Sequence, residues 1–443
     1  MPIALTGGCR YGTFTTSQHL TPMRPIHSHV CRVLAITALA ACARSEAPST
    51  LQRLSMKPLP SPAGANAAEP FVSASPNGSV MLSWLQREPD SVTVVLRLAT
   101  LGADDTWSAP AEVVRAKNLF VNWADFPSVV TLADGRLLAH WLQKNGSGKY
   151  AYDIRLSSST DAGRTWTPDL TPHAPGIPAE HGFVTLLPRA DSSADILFLN
   201  GRAAPPSPAG APVVEGHGPP MRLAVARWSR GGIVSGAESI LDERTCDCCQ
   251  TAAAVTSRGP VVLYRDRSET ETRDISLRRL VDGQWTASTP LHADNWVIDA
   301  CPVNGPAISA SGDDVAAVWF TGARDTAKVQ LVFSHDAGAT FGAPVRIDDG
   351  TPAGRVDVEL LDSGDAVVTW IERTGKETSE VRARIVRAAD GVAEPTFTVA
   401  KLTLGRASGF PRMARRGSTL ALAWTVSGPT SAVHVAELRI APR

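Results

Sequence analysis

Along this chain a short hydrophobic phrase recurs. An apolar run is followed by a Gly- or Asp-containing turn and then by a second apolar run that ends in an aromatic. Residues 71–84 read FVSASPNGSVMLSW and residues 126–141 read FPSVVTLADGRLLAHW. Further copies are PAISASGDDVAAVWF at 306–320, VDVELLDSGDAVVTW at 356–370 and FPRMARRGSTLALAW at 410–424. Weaker copies occupy 183–198 and 251–264. Each copy reads as a β-hairpin, because Gly, Asp and Asn cluster where the chain must reverse. A spacing near 50 residues means that one supersecondary unit is repeated around a common core.

Two more apolar segments follow most hairpins, so each repeat predicts four strands, A to D. In the first repeat these are 71–75, 80–86, 92–99 and 107–114; in the second, 126–132, 136–143, 152–158 and 165–170. Inner segments such as 315–320 are continuously apolar, as strands buried on both faces must be. The expected fold is all-β: a β-propeller of seven four-stranded blades, with six as the alternative. The last copy supplies only three strands. The fourth is expected from 49–57 near the N-terminus, closing the ring and removing its free sheet edges.

Residues 1–50 break the pattern. Arg24 and Arg32 precede the apolar stretch 33–41, and Cys42 follows. Basic residues, a short apolar run and small residues before a cysteine read as an export signal, and the run is too short to span a bilayer. The segment 39–42, LAAC, resembles the bacterial lipobox. That resemblance implies lipidation at Cys42 and a protein held at the periplasmic or outer-surface face of a bacterial membrane by its anchor alone. The division is then 1–42 signal (with Met23 as a second start candidate, leaving 1–22 outside it), 43–50 tether and 51–443 propeller. With 43 Lys plus Arg against 43 Asp plus Glu, the chain has no charge excess to favour nucleic acid, and a monomer is expected.

Ser159-Thr160-Asp161-Ala162-Gly163-Arg164-Thr165-Trp166 matches the Asp-box pattern S-x-D-x-G-x-T-W. Ser334 to Phe341 repeats it with Phe in the last place. The motif is a hairpin turn that caps itself: the carboxylate accepts local N–H groups and Gly supplies a positive φ. It resembles the BNR-repeat propellers of the sialidase superfamily, and the likeness covers residues from about Glu69 onward.

Alternating strand direction puts the A–B and C–D turns, with both Asp boxes, on one face. The D–A and B–C connections share the other, where the unusual residues lie. They include Trp123 and Asp125, His181, the run Cys246-Asp247-Cys248-Cys249-Gln250, then Asp299, Cys301, Arg355 and Asp357. Cations recur at the ends of B strands, among them Arg202, Arg265 and Arg324, with Asp266 and Asp325 adjacent. Guanidinium forks bind carboxylates bidentately.

By resemblance to sialidases, Arg265, Arg324 and Arg355 or Arg412 are candidates to hold a sugar carboxylate, Asp125 to act as the acid and Tyr264 as the nucleophile, with Tyr150 and Tyr152 the other tyrosines that fall near this face. Such enzymes depart from the two-carboxylate scheme. The sequence departs from the family in its blade count and in showing no Glu partner for any Tyr. Two readings of the face therefore stand, a glycan- or protein-binding propeller and a glycoside hydrolase of sialidase type. No cofactor is expected from the propeller itself. For the cysteines, two disulfides in an exported protein stand beside a soft-metal site for copper or zinc, with His181 or Asp299 nearby.

Overall fold

A computed structural model describes residues 52–174, 176–202, 220–234, 236 and 238–442. The signal, Cys42 and the tether lie outside them, as does most of the long connection after Arg202. The described chain forms seven antiparallel sheets. Blade one is Ala67–Ala74, Val80–Arg87, Val94–Leu101 and Ala111–Ala116. Each later blade repeats that meander.

The A strands sit innermost. Around the axis they run Ala67–Ala74, Ser128–Thr131, His181–Pro188, Ala252–Thr256, Ala307–Ser311, Pro352–Leu360 and Arg412–Arg416, each packed against the next. Every B strand is nearly all buried, as VMLSWLQR and AVVTWIER show. An apolar strand with a neighbour on both faces has no reason to alternate.

Hydrophobic packing follows the same sevenfold division. Among the described residues seven core clusters form. Six each lie between one pair of adjacent blades, and the cluster of blades three and four also takes in Ala124 and Phe410 at the axis. Trp84, Phe198, Tyr264 and Trp370, each closing a hairpin phrase, are among the largest fully buried side chains. Each packs in a core cluster as a wedge between blades. The expected closing strand is present, moved a few residues along the chain: Leu54–Leu59 pairs antiparallel with Ala432–Ile440, from Leu54 opposite Ile440 to Leu59 opposite Val435.

The outer strands differ most from expectation. In blade two the fourth strand shrinks to a single bridge, Leu156 to Leu170. In blade three it splits into a two-residue piece and the strand Ser239–Thr245, and in blade four into two pieces of two residues each. Outermost strands bury one face at most, so less apolar pattern is needed there and less is available to read.

Both Asp-box segments form the expected turn. Asp161 accepts from the Thr165 N–H at 2.9 Å and the Thr165 hydroxyl at 2.7 Å, and Ser159 Oγ accepts from the Gly163 N–H at 2.9 Å. Ala162 and Gly163 have φ of 59° and 84°. Asp336 repeats the arrangement with Thr340. These bonds, led by the threonine hydroxyl, pull the Asp161 carboxyl down to about 2. Among the described residues no helix is long and apolar enough to cross a membrane.

Candidate functional site

At four places where A strands begin or run past the axis, one side chain reaches across to another blade. Asp125 accepts from the Phe183 N–H at 2.7 Å, and Gln250 accepts from the Gly305 N–H at 2.9 Å. Asn304 accepts from the Arg355 N–H and Asp357 from the Met413 N–H, both at 2.7 Å. Thr251 donates to the Phe183 carbonyl at 2.9 Å. Adjacent A strands do not pair as a sheet, so their inward N–H groups need acceptors from elsewhere. Side-chain oxygens at the D–A mouths supply them. This explains why Asp, Asn and Gln collect at these connections. Gln250 also donates to the Ala124 carbonyl at 2.5 Å, joining blades that are not neighbours. Below these latches lies an axial cavity of about 150 Å³, lined in part by Phe71, Phe126, Phe183, Asp357 and Arg412.

The candidate arginines do not converge. Arg265 is 2% exposed and points into backbone. It donates to the Asn304 carbonyl at 2.7 and 3.1 Å, to Arg273 O at 2.6 Å and to Phe320 O at 2.8 Å, and it packs on Trp296. Arg355 donates to Ser408 Oγ and Gly409 O, both at 3.1 Å, under the Trp123 ring. Burial pulls its guanidinium down to about 10, leaving it charged at neutral pH. Arg412 lies at the axis, 3.5 Å from Asp357 and over Phe71 and Phe126. Arg324 is exposed, at φ 57°. Arg202 pairs with Glu238. Asp299 is exposed at the same face, and Asp266 accepts from Ser276 at 3.1 Å. Tyr264 donates to Asp242 at 2.6 Å inside the core between blades three and four.

A different tyrosine has the carboxylate neighbours that the sequence did not reveal. The Tyr152 hydroxyl lies 2.8 Å from Asp125 and 3.0 Å from Glu180. A phenol has one hydrogen to give. Two carboxyl oxygens within its reach are both satisfied only if one carboxyl carries its own proton. Burial agrees, pushing Asp125 up to about 7 and Glu180 up to about 8. Tyr152 is 1% exposed and stacks on Phe120 at 4.0 Å, so it serves as a clamp between blades rather than as an exposed nucleophile.

This clamp predicts a pH dependence. Carboxyls with raised folded values hold protons that the unfolded chain has released, so their stabilisation is present at low pH and fades as pH climbs towards 8. The buried imidazoles of His140 and His173, lowered to about 3 by burial, act in the opposite direction only below about 6.5. From pH 6.5 to 8 the urea midpoint is therefore expected to fall. Asp125→Asn should flatten that fall, and an unchanged slope in the variant would reject the shared proton.

His181 and His173 stack at 3.8 Å with Asp153 Oδ1 3.9 Å from each ring. They make a poor metal site. His173 Nε2 accepts from the Ile154 N–H at 3.3 Å, and parallel rings aim their lone pairs side by side rather than at one point.

The cysteine sector is assembled from two successive connections. Cys246 Sγ lies 3.5 Å from Cys249 Sγ and 3.7 Å from Cys248 Sγ. Cys301 Sγ lies 3.6 Å from Asp247 Oδ2. All four thiols are unbonded, so the expected disulfides are absent from this structure. Arg273, with no exposed surface, aims its guanidinium at Cys246 Sγ at 3.4 Å and at Asp247 at 3.5 Å. Arg267 reaches Asp247 at 3.5 Å. Burial opposes ionisation of Cys246, but the S–H groups of Cys248 and Cys249 and the charges of Arg273 and Arg265 outweigh it and draw the thiol down. Arg273 was not legible in sequence. It lies 27 positions from Cys246 and only blade geometry brings it back.

No protein-family model matches the chain, and no curated protein does. Solved structures do. A protein of unknown function from Dyadobacter fermentans DSM 18053 aligns over 88% of this chain and all of its own length, at 15% identity and a TM-score of 0.51. The α-L-arabinofuranosidase Arb93A of Fusarium graminearum (88% and 98% covered, 13% identity, TM-score 0.46) and the NanB sialidase of Streptococcus pneumoniae (87% and 94%, 9% identity, TM-score 0.45) follow. At these identities the likeness is one of fold. The chain is a β-propeller, built with seven blades among the described residues.

Proposed function

We propose that this chain is an exported, lipid-anchored propeller that acts by binding at its D–A/B–C face, without glycoside hydrolysis, and that the cysteine sector is the part of that face that takes the ligand. The single observation supporting this is how the face distributes its polar groups. Arg265 and Arg355, expected to clasp a substrate carboxylate, are bonded to backbone carbonyls and a serine hydroxyl. Tyr152 is sealed in the core. Cys248 and Cys301, by contrast, are partly exposed on that face beside buried Arg273 and Asp247. Binding energy at such a face comes from preorganised groups that need no rearrangement to receive a ligand.

One preparation tests the reading. The full chain is expressed with its own signal and recovered from membranes. Acyl labelling is expected on the wild type and lost in Cys42→Ala. Fluorogenic sialosides and arabinofuranosides are expected to release no fluorophore, while a small thiol reagent modifies Cys248 and Cys301 without unfolding the protein. Glycoside turnover that copurifies with the chain would overturn the binding reading. Failure of both thiols to react would remove the cysteine sector from it.

A further inference from the structure

We infer that Cys246, Cys248 and Cys249 form a three-sulfur site for a soft, thiophilic monovalent ion, copper(I), which enters through Cys301 and Asp247. This rests on the binding reading above and names its ligand.

Three sulfurs come from four consecutive residues of one connection, and all lie within 4.8 Å of one another. Metal–thiolate bonds of about 2.3 Å place neighbouring sulfurs roughly 3.8 to 4.0 Å apart, for tetrahedral or trigonal geometry. The observed 3.5 and 3.7 Å need to open by only a few tenths of an ångström. A disulfide would require Cys246 and Cys249 to close from 3.5 Å to about 2.05 Å, with Cys248 left to pair with Cys301; a metal asks for a far smaller movement.

The fold holds this trio from behind. Arg273 sits against Cys246 Sγ, itself tied to Glu271 at 2.7 Å. Arg265, fixed by its four carbonyl bonds, spans from the Arg273 backbone to that of Asn304 and Phe320. Buried cations beside the sulfurs offset the negative charge that three thiolates bring to one point. Sulfur ligands select soft ions, copper(I) and zinc foremost. Zinc in a closed site takes four ligands. Among the described residues the remaining donors, Asp247 and Cys301, group with Cys248 rather than with the whole trio. Three ligands suffice for copper(I).

The burial gradient gives a route. Cys246 and Cys249 are 1% and 2% exposed, whereas Cys248 and Cys301 are partly open. Cys248 belongs to both groups, so it can pass an ion from the outer set to the inner one by exchanging one ligand at a time.

The test is an anaerobic titration of the full, membrane-recovered chain, reduced beforehand, against copper(I) held by a coloured chelator. One equivalent per chain is expected to transfer, with a thiolate-to-copper absorption band. Cys246→Ser should abolish transfer. Cys301→Ser should keep the stoichiometry and slow loading by about 10-fold, a size common for outer-shell changes. Since serine variants can misfold, alkylation mapping of the wild-type protein runs in parallel. Copper should protect Cys246, Cys248 and Cys249 together. Absence of transfer, protection that omits any of the three, or uptake of zinc with rejection of copper(I) would overturn the inference. Thiols that react freely yet take no copper would sink the copper site while leaving the binding reading intact.

Discussion

Arg265→Ala is expected to lower the stability of the propeller by about 3–5 kcal/mol, because it strips the donor from three buried carbonyl oxygens. The guanidinium is enclosed at the mouth between blades four and five. Its four bonds end on three carbonyl oxygens, those of Arg273, Asn304 and Phe320. Those oxygens lose their donor once the side chain is gone, and an unsatisfied buried acceptor costs about 1–3 kcal/mol. Trp296 also loses the cation beneath its ring at 5.0 Å. A denaturation series in urea checks this. The midpoint should drop sharply with little change in slope, and Arg265→Lys should fall between, because an ammonium keeps the charge but cannot fork between two carbonyls. A substrate-holding arginine would behave oppositely: its alanine variant would keep the midpoint and lose only the ligand. A wild-type midpoint in Arg265→Ala would therefore return Arg265 to the list of functional residues.

That contrast marks what could be read from sequence. Blade number, ring closure and which connections share a face follow from hydrophobic periodicity and strand direction, which are properties of neighbours along the chain. Trp84, Trp141, Trp370 and Trp424 each end a hairpin phrase and each is buried between blades. The roles of polar residues did not follow, because those depend on partners distant in sequence. Asp125 was correctly placed at a mouth, yet its partners Phe183 and Tyr152 are 58 and 27 positions away. Arg265 and Asp266 sit side by side in sequence as a pair would, but the guanidinium turns to carbonyls and the carboxylate to Ser276. Alternation along a strand sends adjacent side chains to opposite faces. Sequence adjacency is therefore weak support for an ion pair inside a sheet. The cysteine run was the exception. Three of its members are so close in sequence that any compact turn brings their sulfurs together.

Gly182→Ala is the second large effect, and it probes the carboxylate latch directly. A methyl group at Gly182 would stand 1.9 Å from Asp125 Oδ2, 2.9 Å from its carboxyl carbon and 3.0 Å from Tyr152 Cε2. The carboxyl cannot swing aside, because one oxygen holds the Phe183 N–H and the other the Tyr152 hydroxyl. Either those bonds break or the A strand of blade three backs away from blade two. Overpacking of this kind costs about 1–3 kcal/mol, and each buried hydrogen bond broken adds about as much again. A loss of about 3–5 kcal/mol is expected, read as the urea midpoint. The cause is tested by a double-mutant cycle. Asp125→Ala clears the space at the expense of an orphaned Phe183 N–H, so adding it to Gly182→Ala should cost far less than the two single losses together, with a coupling of about 1–3 kcal/mol. Strict additivity would mean that the methyl clashes elsewhere and that Asp125 is not what makes glycine necessary at this position.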